Sequence, residues 1–182
     1  GLELTGLVTH NGAPFEWASA NIFFKSPDAR MPELFGSART SADGRFTIGK
    51  VPRESVLLLI AIRTDDPYGG DLTYRYALDL HGKDSYEHRA DFIDYNTVLD
   101  VSVTEQGVPR PGLFFTMKRG GVPEIHYSGH TSDTGHIAAV GLPPGEWTLR
   151  VYPPGAQGEE QAETISLVLS ESNALQTEFR YC

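Results

Sequence analysis

The chain carries one turn sequence twice, as VTHNGAP at residues 8–14 and as VTEQGVP at residues 103–109. Glycine and proline stand in register in the two copies, which lie 95 residues apart (12 to 107). Glycine accepts a positive φ, whereas proline fixes its own φ and has no N–H to donate to a ladder. Each copy therefore predicts a first strand followed by a reversal of the chain.

A second pair of sequences extends the repeat. SADGRF at residues 41–46 parallels SDTGHI at residues 132–137, and Val51-Pro52 parallels Leu142-Pro143, both 91 residues apart (44 to 135 and 52 to 143). The Asp-Gly and Thr-Gly centres suit tight hairpins. An apolar strand follows each pair, and the first of these, residues 56–61, is apolar on both faces, so we expect its outer side to be covered.

The rest of the chain favours strands and turns. Apolar residues alternate or form short runs, the 19 glycines and 12 prolines are spread along the chain, and no amphipathic helix is evident. We count seven strands in each half, with Trp147 in the second core. The prediction is an all-β chain of two tandem seven-stranded antiparallel Greek-key β-sandwiches of immunoglobulin-like type, the first at residues 1–95 and the second at residues 96–182.

These motifs carry a resemblance to known families. The order Val-x-x-x-Gly-x-Pro, Asp-Gly-x-Phe, then Val-Pro or Leu-Pro-Pro-Gly before Trp-Thr-Leu-Arg-Val resembles the carboxypeptidase regulatory-like, or transthyretin-like, repeats and the collagen-adhesin B-type repeats. The resemblance covers nearly the whole chain in two copies and implies a prealbumin-like sandwich. It also implies a stalk, an accessory folding domain or an adhesive unit. The motifs themselves are turn and core residues that carry no chemistry.

The composition limits the kinds of molecule that the chain is expected to bind. The formal net charge is −9, and no stripe of Lys and Arg could neutralise a run of phosphates, so we expect no nucleic acid partner. The longest apolar run, Val56 to Ile62, is far below the ~18 residues of a transmembrane helix. The single cysteine, Cys182, allows no intrachain disulfide and no cysteine-based zinc site. Gly1 in place of an initiator methionine suggests a processed or trimmed chain.

Three histidines form the first candidate metal site. His126, His130 and His136 lie within eleven positions, and imidazole is a ligand for zinc and copper. On a regular strand His126 and His130 share a face but lie about 13 Å apart along it, too far for one ion. A bulge at Gly129 would bring them closer. The alternative interpretation is three surface or turn histidines.

The loop at residues 64–71 is the second candidate metal site. Asp65, Asp66 and Asp71, together with backbone carbonyls, could supply oxygen ligands to calcium, although their spacing is not that of an EF-hand. Aspartate and glycine in this density also make an ordinary turn. The chain is expected to need no cofactor.

A set of aromatic residues that could include an exposed platform suggests sugar binding. Trp17, in the connection after the first strand, and Tyr68 are the two candidates for stacking on a sugar ring, and Tyr74, Tyr76, Tyr86, Tyr95 and Tyr127 are further members of the set. A tryptophan packed beneath its own loop is the alternative.

No enzyme motif is present. The chain lacks a Gly-x-Ser-x-Gly elbow, a phosphate-binding glycine loop and a His-Glu-x-x-His helix, and it lacks the His-x-His pair of intradiol dioxygenases. We therefore expect a non-catalytic structural or protein-interaction module of a bacterial exported or cell-envelope protein, whether secreted, periplasmic or on the cell surface. Carbohydrate binding and metal binding are the alternatives, so the expected partner is a protein or a polysaccharide.

Overall fold

The computed structural model describes residues 1–64, 66–156 and 158–181. These residues form sixteen β-strands and one 3₁₀ turn at Glu159–Gln161, and they contain no α-helix. The predicted all-β class is confirmed. Within the described ranges no helix has the length and apolar character needed to cross a membrane.

The chain divides into two compact units. The first comprises Gly1–Arg63, Thr73–Ile93 and Val122–Glu124, and the second comprises Thr64–Leu72, Asp94–Gly121 and Ile125–Cys182. The boundary predicted between residues 95 and 96 stays a prediction.

The first unit has two sheets. Its strands are β1 (Leu2–His10), β2 (Ala13–Pro14), β3 (Ser19–Phe24), β4 (Glu33–Arg39), β5 (Arg45–Val51), β6 (Ser55–Arg63), β7 (Gly69–Asp79) and β8 (Ser85–Phe92). In one sheet, β1 lies between β5 and β8 and also pairs with β2; in the other, the order is β4, β3, β6 and then residues 73–79 of β7. The pairing of β1 with β8 is parallel, because the last strand of the unit returns beside the first in the same direction. The sandwich predicted as antiparallel thus contains one parallel pair.

The second unit is built in the same order. Its strands are β9 (Val98–Glu105), β10 (Val108–Pro109), β11 (Phe114–Arg119), β12 (Glu124–His130), β13 (His136–Val140), β14 (Gly145–Val151), β15 (Glu163–Leu169) and β16 (Leu175–Arg180). One sheet places β9 between β13 and the parallel strand β16, with β10 also paired to β9. The other sheet runs β15, β14, β11, β12 and then residues 69–72 of β7.

Alternate residues of each strand form the two cores. In β6, Val56, Leu58 and Ile60 are buried, and burial of a side chain of this size contributes about 1.5–3 kcal/mol. Leu57 and Leu59 on the opposite side are half-buried, so the outer face of this strand is covered only in part. Trp147 is fully buried, as predicted, and its indole N–H donates to the Pro143 carbonyl at 2.9 Å.

A buried threonine holds the first connection of the first unit. The Thr40 hydroxyl donates to the Phe15 carbonyl at 2.6 Å and accepts from the Ala18 N–H at 2.9 Å. The Thr40 N–H donates to the Ala18 carbonyl, and the Trp17 N–H donates to the Thr40 carbonyl. One residue therefore fixes both ends of the chain segment between β2 and β3.

Thr131 makes the same four hydrogen bonds in the second unit. Its hydroxyl donates to the Arg110 carbonyl at 2.6 Å and accepts from the Leu113 N–H at 2.9 Å. Its N–H donates to the Leu113 carbonyl, and the Gly112 N–H donates to the Thr131 carbonyl. We call Thr40 and Thr131, with these partners, the threonine clamps.

Replacement of a clamp threonine by the isosteric valine is expected to destabilise its unit. Thr131→Val leaves the Arg110 carbonyl and the Leu113 N–H without their hydroxyl partner in a water-excluded site, which costs about 1–3 kcal/mol. Urea denaturation measures the change, with Thr164→Val on an exposed position of β15 as the matched control. Equal stability of the two variants would show that the clamp hydroxyl is not structural.

Candidate binding surfaces

Trp17 is exposed and its backbone is in a left-handed conformation. Its exposed fraction is 66%, and its φ is +72°, a region that a bulky L-residue rarely adopts. Gly112 stands 95 residues later, the same offset as the repeated turn, and has the same φ of +72°. The first unit thus carries tryptophan where the second has glycine.

Tyr68 is also exposed, at 40%, and lies in the turn immediately before β7. Its hydroxyl is hydrogen-bonded to Asp133, and this bond together with the negative charge of Asp133 raises the pKa of Tyr68. Its backbone carbonyl accepts from the His130 N–H at 2.9 Å. Because Trp17 and Tyr68 belong to different units, each is a separate candidate for sugar stacking.

Two of the five remaining tyrosines of the candidate set lie in the protein interior. Tyr74 and Tyr127 are buried, which removes them from any exposed aromatic platform. Burial is also the main reason that the pKa of Tyr127 is raised to about 12. The hypothesis of sugar stacking is left with Trp17 and Tyr68 as its most accessible rings.

The three histidines of the first metal hypothesis lie on two strands. His126 and His130 are on the outer side of β12, where Lys118 and Phe114 of β11 are their cross-strand neighbours. His136 is on β13, with its Nδ1 2.7 Å from Asp100 Oδ1. Among the described residues, no group of three or more His, Cys, Asp and Glu side chains is placed to hold a metal ion. Metal binding by these histidines stays a prediction.

The acidic loop of the second metal hypothesis is partly described. Asp65 lies outside the described residues, and Asp71 is exposed on β7. The Asp66 carboxylate accepts from the Tyr68 N–H at 2.9 Å, while the Tyr127 hydroxyl donates to its second oxygen at 3.4 Å. Asp66 thus stabilises a turn, as the alternative interpretation expects. Calcium binding stays a prediction.

His88 is half-buried in the first unit between two tyrosine rings. Its ring centroid lies 4.1 Å from that of Tyr76 and 6.0 Å from that of Tyr86. The Tyr86 hydroxyl lies 3.4 Å from Nδ1, whereas Nε2 is buried and has no hydrogen-bond partner among the described residues. Burial lowers the pKa of His88, because the charged imidazolium would lose hydration.

The stability of the first unit is expected to fall in acid because of His88. The unfolded chain binds the proton near the ordinary pKa of about 6.5, and the folded chain binds it only at lower pH, so stability is lost as pH falls below about 6.5. His88→Phe removes this loss, seen as a flatter dependence of the urea midpoint on pH. His81→Gln is the matched control of opposite sign, because the hydrogen bond to Asp79 raises the pKa of His81. A pH dependence unchanged in the His88 variant would contradict the assignment.

The second unit presents an outer sheet face on β12, β11 and β14. Strand register places Ser128, Thr116 and Arg150 in one row, with Thr116 opposite both of the others. The next row is His126, Lys118 and Thr148. A third row is His130, Phe114 and Tyr152, in which Phe114 lies opposite His130 and accepts a backbone bond from Tyr152 at 2.9 Å. We call these nine positions the β11–β14 face.

One end of the β11–β14 face is aromatic. The Phe114 ring lies 5.3 Å from the Tyr152 ring and 5.5 Å from the His130 ring, measured between centroids. These three residues line a cleft of about 510 Å³ whose other wall includes Pro153 and Pro154. The aromatic end is therefore a recessed surface with a ring on each side.

Two cations of the β11–β14 face lie at a second cleft. Lys118 and Arg150 line this cleft of about 590 Å³ together with Thr148, Arg119 and Glu146. The Arg119 guanidinium is directed into the adjacent loop, where it donates to the Pro144 carbonyl at 3.0 Å. This surface was not predicted from the sequence. The alternation of its polar and buried residues is readable in the sequence, but the register that joins three strands is not.

Comparisons with known proteins give no family assignment. No family model matches the chain, and no curated protein matches it. The resemblance to carboxypeptidase regulatory-like repeats therefore stays a prediction.

Solved structures of pilins match the chain at low identity and low TM-score. The minor pilin GBS52 of Streptococcus agalactiae is 16% identical over 99% of this chain and 95% of its own, with a TM-score of 0.39. A streptococcal ancillary pilin is 11% identical over 98% of this chain and 61% of its own, with a TM-score of 0.36. The major pilin subunit BcpA of Bacillus cereus is 9% identical over 98% of this chain and 99% of its own, also at 0.36. Because these TM-scores are below 0.5, the fold is assigned from the strand pairing of the chain itself and not from these structures.

Proposed function

We propose that the chain is a non-catalytic structural or protein-interaction module of a bacterial exported or cell-envelope protein, built from two copies of one transthyretin-like unit. The observation that carries the proposal is the pair of threonine clamps, which make the same four hydrogen bonds in each unit. A repeated frame of this kind holds the loops and outer faces that it carries in fixed positions.

The use of buried polar groups supports this proposal. The buried polar side chains among the described residues are Thr9, Thr40, Thr97 and Thr131. Thr97 donates to the Leu142 carbonyl at 2.6 Å, and Thr9 donates to Asp91 at 2.5 Å, which lowers the pKa of Asp91. All four hydroxyls thus join distant parts of the chain. Buried groups used in this way favour a rigid frame over a reactive centre.

Labelling of intact cells tests the proposed location. A membrane-impermeant amine-reactive biotin reagent, applied to the producing bacterium, is expected to modify exposed lysines such as Lys50 before lysis. An abundant cytoplasmic protein of the same cells is the control for leakage. Modification only after lysis would contradict an exported or envelope location.

A second candidate function, carbohydrate binding through Trp17, is favoured by the backbone of that residue. A left-handed conformation costs an L-residue about 1–2 kcal/mol, whereas glycine adopts it freely. Trp17 accepts this cost while exposing most of its ring, and Gly112 shows that the turn does not need a side chain. Strain of this kind motivates a functional hypothesis. Tyr68 is the candidate in the second unit, at a position unrelated to that of Trp17.

Two substitutions separate strain from binding at Trp17. Trp17→Ala and Trp17→Gly both remove the ring, but only glycine relieves the strain of the positive φ. The glycine variant is therefore expected to be more stable than the alanine variant by about 1 kcal/mol. Urea denaturation measures this difference. Both variants are expected to lose retention on immobilised neutral polysaccharides, measured by affinity electrophoresis. Retention equal to that of the unaltered chain would rule out Trp17 as a sugar platform.

A further inference from the structure

The outer side of β3 and β6 in the first unit is apolar. Strand register places Leu34, Phe23 and Leu57 in one row, with Phe23 opposite both of the others. In the next row Leu59 lies opposite Asn21. Leu34 is 57% exposed, and the other three apolar side chains are half-buried. Within the described residues, the cover that the sequence predicts for the outer side of β6 is therefore incomplete.

The second unit shows that the fold does not require apolar residues on this side. Lys118 stands 95 residues after Phe23, and Thr148 stands 91 residues after Leu57, which are the offsets of the repeated turns. The two residues of each unit lie opposite each other in the same register. The first unit is thus apolar where the second is polar. Clustered apolar side chains that folding does not require indicate an interaction surface.

A cleft of about 310 Å³ lies on this outer side of the first unit. Its floor includes Phe23, Leu57 and Ala77, and the charged residues in its lining are Lys25 and Asp79. The cleft is therefore apolar in the middle and bordered by one charge of each sign.

Strand register arranges the lining of the cleft in two rows across β6. The Leu80 N–H donates to the Glu54 carbonyl at 3.0 Å, and β7 runs beside β6. Continued along this antiparallel pair, the register sets one residue of β7 beside each outer residue of β6, while β3 supplies the other neighbour. The two rows are Phe23, Leu57 and Ala77, and then Lys25, Ser55 and Asp79.

The two charges of the cleft are too far apart to pair within one chain. Lys25 and Asp79 are separated by two strand spacings, about 9–10 Å. In the part of the chain that the structure describes, no residue forms an ion pair with Lys25. The contacts of Asp79 with the backbone N–H and the ring of His81 both use Oδ1, so Oδ2 is open to a cation. A second molecule that carries both charges can therefore satisfy both.

A second copy of the chain fits this arrangement. If a two-fold axis runs along β6 between two such faces, each row lies over the same row of the copy with its ends exchanged. The large Phe23 then lies over the small Ala77 of the copy, and Leu57 lies over Leu57. Lys25 lies over Asp79 of the copy, and the reverse pair forms at the same time. A different protein would have to carry both charges in this exchanged order, which the chain itself already does.

The net charge of the chain does not oppose a contact at this face. Of the 15 Lys and Arg residues, 10 lie within residues 1–93, which carry 13 of the 24 Asp and Glu residues. The first half of the chain is thus close to neutral, and most of the net charge of −9 lies in the second half. Electrostatic repulsion between two first units is correspondingly small.

We propose that the chain forms a two-fold symmetric dimer through this face of the first unit. We call it the β6 face, which consists of Phe23, Lys25, Leu34, Leu57, Leu59, Ala77 and Asp79. Two sheets that pack face to face with aligned strands lie about 10 Å apart, a distance that a lysine and an aspartate side chain span together. The proposal goes beyond the structural role and does not depend on an envelope location, which cell labelling tests separately.

The mass of the chain in solution tests the dimer. Sedimentation velocity of the full chain at micromolar concentration is expected to show a species of twice the mass of the chain. A chain that stays monomeric would leave the β6 face to a partner of different sequence and overturn the proposal.

Leu57→Thr tests whether the β6 face is the interface. Thr148 shows that the strand accepts threonine at this position, so the variant is expected to fold, which thermal unfolding verifies. Loss of two leucine side chains per dimer is expected to weaken association at least about tenfold. Val168→Thr, at a 66% exposed position of β15, is the matched control and is expected to keep the dimer. A dimer unaffected by Leu57→Thr would place the interface elsewhere and overturn the proposal.

Mixing two charge-reversed variants tests the exchanged pairs. Lys25→Glu sets two carboxylates against each other in both pairs, and Asp79→Lys sets two ammonium groups, so each variant alone is expected to dimerise at least about tenfold more weakly. An equal mixture is expected to recover the dimer, because one chain of each kind restores opposite charges in both pairs. Lys50→Glu on β5 is the control for charge and is expected to dimerise like the unaltered chain. A mixture as weakly associated as the separate variants would contradict the exchanged pairing.

Discussion

The buried threonine hydroxyl is the constraint on which the rest of each unit depends. Thr40 and Thr131 each join the segment after the first hairpin to the strand that ends beside it, and each satisfies one carbonyl and one N–H that would otherwise be buried alone. An unsatisfied buried polar group costs more than a hydrogen bond contributes, so the clamp fixes geometry more than it adds stability. The connection it fixes is the one that bears Trp17 in the first unit and Gly112 in the second.

The two units share a frame and differ at their surfaces. The outer face of β6 in the first unit presents Leu57 and Leu59, whereas the β11–β14 face of the second presents Arg150, Lys118 and hydroxyls. The turns and clamps correspond closely while the exposed residues do not. Such a division is expected when loops and outer faces determine binding and the frame determines only where they are held.

Local features of the fold could be predicted from the sequence. The apolar run from Val56 to Ile62 predicted a strand that the structure places at Ser55–Arg63, and Trp147 lies in the core because it alternates with Leu149 and Val151. Period-two alternation reports directly on which side of a strand is buried. The repeated glycines at 44 and 135 have φ values of +77° and +75°, as their hairpins require.

Non-local features could not be predicted. The parallel pairing of β1 with β8 is not marked by any turn sequence, because the two strands are far apart in the chain. The β11–β14 face depends on a register between three strands that no single segment encodes. The strain at Trp17 could have been predicted, because Gly112 occupies the corresponding position at the offset of the repeated turn. His88 packs between Tyr76 and Tyr86, and its Nε2 has no hydrogen-bond partner in the described part of the chain, a feature that no sequence pattern indicates.

The parallel pairs also govern the order in which the chain can be completed. The strand that begins each unit cannot complete its pairing until the strand that ends the unit has been synthesised. In the first unit, the hydrogen bond between Thr9 and Asp91 spans 82 residues. Until the final strand is available, one side of β1 or β9 presents free backbone groups, the state in which a nascent chain is most prone to mispairing. Synthesis must therefore deliver nearly an entire unit before its first strand is paired on both sides.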